Sequence, residues 1–65
     1  MEARDLKYFA VVAEQGNLRR AAEALDISQP AVSKSLRRLE NWAQAKLVKR
    51  TPKGVELTAV GAAVL

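Results

Sequence analysis

Two helical patterns in this chain meet across only three residues, Asp26, Ile27 and Ser28, and that short join limits the possible folds more than any other feature. Before the join, LRRAAEAL (18–25) puts Leu18, Ala21, Ala22 and Leu25 on one side of a helix. Asn17 is a good N-cap for it, and Gly16 is placed to end the segment before. After the join, Val32, Leu36, Leu39 and Ala43 recur at i, i+4, i+7 and i+11, while Pro30, Lys34, Arg37 and Asn41 cluster opposite them. Ser28 can cap this second helix, and Pro30 falls in the first turn, where its missing N–H costs nothing. Gln29 precedes a proline and so resists helical geometry; it is either the first helical residue or the last non-helical one. A join this short forces the two helices to cross steeply, which turns the polar side of the later helix outward.

The flanking segments complete the pattern. Over residues 4–14, Leu6, Phe9, Ala10, Val12 and Ala13 recur at helical spacing. LVKR (47–50) and VELT (55–58) are short alternating runs around TPKG (51–54), which predicts a β-hairpin. Thr58 then caps a last helix, AVGAAVL, that the chain end cuts off. Gly61 inside it marks either a frayed end or close packing against a neighbouring helix. Three helices, a hairpin and the start of a fourth helix give a mainly α fold with a small β-hairpin, in the order of a winged helix-turn-helix. Residues 1–57 form that domain and 58–65 begin a linker or dimerisation helix.

A 65-residue chain holds one domain with a marginal core. It has no Cys and no His, which removes disulfides, the usual zinc sites and His-based acid/base chemistry. No catalytic residues, cofactor sites or metal ligands are therefore expected. No apolar run approaches the ~20 residues of a membrane span, and MEARDLKYF carries charges where a signal peptide needs an apolar region. The expectation is a soluble cytoplasmic protein.

The charge is uneven. Residues 1–25 balance four basic with four acidic side chains, whereas residues 26–54 hold seven basic (Lys34, Arg37, Arg38, Lys46, Lys49, Arg50, Lys53) against Asp26 and Glu40. Charge alone leaves two readings open, an anionic partner and a solvated basic face. The aromatics, Tyr8, Phe9 and Trp42, are not interleaved with the basic residues, which argues against a single-strand stacking surface. Trp42 is read as a core or interface anchor.

The fold gives the basic block a use. A major groove about 12 Å wide admits one helix, and residues near that helix's N-terminus reach base edges. Here these are Gln29, Pro30, Ser33 and Lys34. Gln pairs with adenine, Lys with guanine acceptors, Ser is permissive, and the Pro ring touches a thymine methyl. Arg37 and Arg38 lie further along and suit phosphates. Asn17 and Ser28, at helix starts, and Lys49, Arg50, Thr51 and Lys53 on the hairpin suit backbone or minor-groove contacts. Each has an ordinary alternative: Gln29 as a tolerated first-turn residue, or Arg37 in surface pairing with Glu40 or Asn41.

At this point the residues resemble a family. LKYF, GNLRRAAEAL, SQPAVSKSLRRLE, the L-x-x-R of 47–50 and GVELTAVG (54–61) are similar to the N-terminal DNA-binding domain of LysR-type bacterial transcriptional regulators, across essentially the whole chain. The resemblance implies sequence-specific binding of duplex DNA by a dimer or higher oligomer, with recognition helix 28–43 in the major groove and wing 47–58 on the backbone or minor groove. It implies DNA contacts at Ser28, Gln29, Pro30, Ser33, Lys34 and Arg37, with Arg37 joining the base-reading set, and wing contacts around Arg50. It also implies a further C-terminal domain that binds a small-molecule inducer, and a homodimer through the helix begun at Thr58, weak over this length. The family commonly follows LE with Leu-Gly and then Leu-Phe; here those positions are Ala43, Gln44, Leu47 and Val48. The missing Gly removes an easy left-handed cap for the recognition helix. The missing Leu and Phe shrink the core under the wing, a volume that Trp42 is expected to replace. A winged-helix module for protein–protein contact, presenting the wing or AVGAAVL, is the alternative. The basic bias of helix and hairpin discriminates against it. An enzyme fragment would need a nucleophile–base pair, a metal cluster or a Gly-rich phosphate loop, none of which the sequence offers.

Overall fold

Three residues in left-handed backbone conformation divide the helical part of the chain: Gly16 (φ 65°), Asp26 (φ 57°) and Gln44 (φ 55°). The computed structural model describes residues 1–65. It has α1 (Ala3–Gln15), α2 (Leu18–Leu25), α3 (Gln29–Ala43), β1 (Val48–Thr51), β2 (Gly54–Leu57) and α4 (Ala59–Val64). This is the mainly helical winged helix-turn-helix that the sequence predicts.

The start signals act as expected. The Asn17 side chain accepts from the Arg20 N–H at 3.0 Å, Ser28 from the Ala31 N–H at 3.2 Å, and Thr58 from the Gly61 N–H at 3.0 Å. Gln29 is the first helical residue of α3, so Pro30 occupies the second position of the first turn. Asp26 closes α2 by donating its N–H towards Ala22 and Glu23, and the Ile27 N–H also reaches Ala22. Those bonds satisfy the end of α2 within two residues, which is how so short a join suffices.

The core is formed by Phe9, Val12, Leu18, Ala21, Ala22, Val32, Leu36, Leu39, Leu47 and Val48. The stripe of α1 differs from the expected one. Leu6 and Ala10 are exposed, and the inward position one turn before Phe9 belongs to Asp5, which is fully buried. A buried carboxylate is tolerated only with partners. Asp5 has four bonds: from Ser35 Oγ (2.6 Å), Arg38 Nη2 (2.8 Å), Arg38 Nε (3.2 Å) and the Glu2 N–H (3.1 Å). It fastens α3 to α1.

Two further expectations are corrected. Trp42 does not replace core volume, since it is 58% exposed on the last turn of α3. Leu47 and Val48 fill the space under the wing themselves. Gly61 is buried and does not fray, but its close neighbour is not a helix: a Cβ there would strike the Leu47 carbonyl just before β1.

The hairpin pairs Val48 with Leu57, Lys49 with Glu56, Arg50 with Val55 and Thr51 with Gly54, so Pro52 and Lys53 alone make the turn. Each strand is therefore shifted one residue towards the turn relative to the expected runs 47–50 and 55–58. The hairpin docks on the turn between α1 and α2, where the Val55 N–H donates to the Gly16 carbonyl at 2.9 Å. Gly54 (φ 142°) lies so close to that carbonyl that any side chain would collide with it. At the other end, Glu40 accepts from the Leu47 N–H at 2.8 Å, and the Thr58 N–H donates to the Leu47 carbonyl at 3.0 Å. Wing, α3 and α4 thus share one junction at Leu47.

Candidate nucleic-acid interface

The burial of Val32, Ser35, Leu36 and Leu39 sets which residues α3 shows to solvent. Gln29, Pro30, Lys34 and Arg37 are exposed, and Ser33 is half-buried beside them. These five expected base-reading residues form one ridge over the first two and a half turns of α3. Neither Lys34 nor Arg37 is held by a carboxylate; the ion pairs of the chain are Arg4–Glu2, Arg38–Asp5, Lys46–Glu40 and Lys49–Glu56.

Two clefts flank the ridge. One runs between α3 and β1 and includes Ser33, Arg37, Lys49 and Arg50, with Leu36 and Val48 at its base. The other separates the hairpin from the N-terminal ends of α2 and α3 and includes Asn17, Arg19, Gln29, Arg50, Thr51 and Lys53. Arg50 borders both. The structure thus brings the α3 ridge and the wing residues Lys49, Arg50, Thr51 and Lys53 onto adjoining surfaces. Asn17 and Ser28 use an oxygen for capping and keep N–H or O–H donors free for a ligand. Lys49 faces Glu56 across the hairpin at 3.8 Å, with both side chains largely exposed, so this pair is weak and easily exchanged for a phosphate.

Arg38 does not join this surface. Its guanidinium points the other way, onto Asp5. The Arg38 hydrogen bonds are the largest cause holding the Asp5 carboxyl well below the usual carboxylate range, against the opposing effect of burial, and Ser35 and the Glu2 N–H add to it. Asp5 in turn raises the Arg38 guanidinium. The expectation that Arg38 meets phosphates is therefore replaced by a structural role. The sequence reading also missed Arg19, which borders the wing-side cleft. It went unnoticed because residues 1–25 balance in charge, and the sum hid its position.

The family model for bacterial regulatory helix-turn-helix proteins of the lysR family matches residues 3–62. The chain belongs to the lysR family. Among its relatives, the HTH-type transcriptional regulator TfdT of Cupriavidus pinatubonensis is 51% identical over 61 residues, covering 94% of this chain and 27% of that protein. The SDS degradation transcriptional activation protein of a Pseudomonas species is 47% identical over 64 residues, 98% of this chain and 21% of that protein. The chain thus spans about a quarter of these relatives' length. The crystal structure of CbnR, a LysR family transcriptional regulator, superposes with a TM-score of 0.93 at 46% identity, over 97% of this chain and 22% of CbnR. A complex of the CbnR DNA-binding domain with DNA gives 0.92 at 46% identity, over 97% and 72% of the two chains. The likeness extends over both clefts, the ridge and the start of α4.

Proposed function

We propose that this lysR-family domain binds duplex DNA sequence-specifically, with α3 in a major groove and the hairpin on the adjoining backbone or minor groove. The observation that carries this reading is the adjoining set of unpaired cations, Lys34, Arg37, Arg50 and Lys53, on one side of the molecule. The neighbouring carboxylates, Glu40 and Glu56, are each occupied by a lysine. Gln29, Pro30, Ser33, Lys34 and Arg37 read bases; Asn17, Ser28, Lys49, Arg50, Thr51 and Lys53 hold phosphates or the minor groove. The complex of the CbnR domain with DNA, at 46% identity, supports the same use here.

In this reading residues 1–57 are the DNA-binding unit, and α4 begins a helix that pairs with a second copy. Val60 (43% exposed) and, just past the end of α4, Leu65 (58%) are the large apolar side chains left exposed there. A dimer would set one α3 in each of two half-sites about one helical turn apart, or a multiple of it. The whole protein would be a bacterial cytoplasmic transcription regulator, with a small-molecule inducer held outside this domain.

The test is selection from a randomised duplex library, followed by titration of the enriched and unenriched duplexes at several salt concentrations. Enrichment of a common sequence and a falling affinity with salt are expected. Lys34→Ala should then lose about 1–3 kcal/mol on the enriched duplex and much less on random DNA. Arg50→Ala should weaken both alike and lower the salt slope by about one unit. Equal losses for Lys34→Ala on the two duplexes would remove it from the base-reading set.

A further inference from the structure

The wing is fastened to the three-helix body at two places. Near its turn the Val55 N–H donates to the Gly16 carbonyl at 2.9 Å, a bond between backbone groups. At its base the Leu47 N–H donates to Oε2 of Glu40 at 2.8 Å, and no other side-chain hydrogen bond joins α3 to the hairpin. The same base is locked from the far side. The Leu47 carbonyl accepts from the Thr58 N–H at 3.0 Å, and the Lys46 carbonyl accepts from Thr58 Oγ1 at 2.6 Å. Glu40 is therefore the one side chain of α3 that grips the segment leading into β1. Leu36 and Val48 line the base of the cleft between α3 and β1, but apolar contact is non-directional and fixes no angle.

The charge of Glu40 does not suit its place. The α3–β1 cleft is bordered by Arg37, Lys46, Lys49 and Arg50, and Glu40 is its only carboxylate. Lys46 approaches Oε1 at 3.8 Å, but the Lys46 side chain is 81% exposed, so this pair adds little. A carboxylate among these cations repels a polyanion that approaches them. What Glu40 contributes is reach, because its side chain is only 10% exposed and ends on the Leu47 N–H. We propose that Glu40 is a positioning residue: it touches no DNA, and it sets the distance and angle between the α3 ridge and the wing so that one duplex meets both at once. This rests on the duplex-binding reading and deepens it by naming the residue that aligns its two contact elements. A loosened wing still offers Lys49, Arg50 and Lys53 to phosphates, so attraction without sequence preference survives. The cost of ordering that wing falls on the specific complex, in which ridge and wing must be in register.

The test uses two variants that separate charge from reach. Glu40→Gln keeps the length and an acceptor oxygen but loses the charge, whereas Glu40→Asp keeps the charge and is one methylene shorter. Lys46→Ala, which removes the ion pair and leaves the Leu47 bond, is the control. Affinities for enriched and random duplexes are measured by fluorescence anisotropy, at a temperature where thermal unfolding shows each chain folded. For Glu40→Asp the ratio of enriched to random affinity should fall about tenfold, the worth of one hydrogen bond to a charged group, with affinity for random DNA unchanged. Glu40→Gln and Lys46→Ala should stay close to the unmodified ratio. Amide hydrogen exchange of the free domain should find Leu47 protected in the unmodified chain and in Glu40→Gln, and released in Glu40→Asp. Glu40→Gln decides alone if Glu40→Asp does not fold, since it must keep both the ratio and the Leu47 protection. A ratio that falls for Glu40→Gln but not for Glu40→Asp would assign Glu40 an electrostatic role and overturn the proposal. Equal losses on both duplexes, or a Leu47 amide equally protected in every chain, would overturn it too. Absence of salt-dependent duplex binding by the unmodified chain would instead sink the reading beneath it, whatever the exchange of Leu47 shows.

Discussion

Asp5 is the one ionised side chain taken wholly into the interior, and its place there depends on residues far away in the sequence. Asp5, Phe9 and Val12 share a stripe, so its inward position follows from spacing. What spacing cannot reveal is that Ser35 and Arg38, thirty and thirty-three residues later, arrive to satisfy it. The same long-range contact removes Arg38 from the DNA-facing set. Asp5→Ala leaves the buried Ser35 hydroxyl without its acceptor and Arg38 to recover water, and should cost about 1–3 kcal/mol by denaturant titration. The pH dependence follows from sign. The carboxyl is lowered in the folded state, so its contribution is present above the unfolded value near about 3.9 and is lost as pH falls through the lower folded value. The unmodified domain should lose stability on acidification below about pH 5, and Asp5→Ala should show a shallower acid limb. Equal acid limbs in the two proteins would remove Asp5 from this role.

At the scale of elements, the starts of α2, α3 and α4 were legible, because Asn17, Ser28 and Thr58 act through bonds three residues away, whereas the Glu2 cap of α1 was not read. Helix ends were harder. The end of α3 lacks glycine, and Gln44 adopts the left-handed conformation regardless, donating its side-chain Nε2 to the Asn41 carbonyl at 2.7 Å. An L-residue there costs about 1–2 kcal/mol, so Gln44→Gly should stabilise the domain by about 0.5–1 kcal/mol after the lost hydrogen bond is set against it. Thermal unfolding would register this as a rise of a few degrees; no rise would mean that the Gln44 side-chain bond fully offsets the backbone strain. The hairpin was visible from alternation, yet its turn came out two residues long because Gly54 allows the strand to resume at once against Gly16. Of the two readings of Trp42, core and interface anchor, the core one does not hold, because the last turn of α3 leaves the ring 58% exposed. Leu47 takes the covered position instead and joins α3, the wing and α4.

At the scale of the whole molecule, the fold separates two kinds of charge. Arg38 is bound to the buried Asp5 and serves the framework, whereas the exposed Lys46 and Lys49 only approach Glu40 and Glu56, each at 3.8 Å. Lys34, Arg37, Arg50 and Lys53, together with Arg19, stay unpaired on the side formed by the α3 ridge and its two clefts. Total charge hinted at a polyanionic partner but could not make this separation, which depends on which cations meet a carboxylate after folding. The central claim is that this side, and no other, meets duplex DNA. Amide chemical-shift mapping of the isotopically labelled domain, titrated with an enriched duplex and with a random one, tests it most directly. The account predicts that residues 28–37 and 49–53 shift with both duplexes, most strongly with the enriched one, while the exposed face of α1 stays still. Shifts concentrated on α1 or α4, with the α3 ridge and hairpin undisturbed, would contradict it.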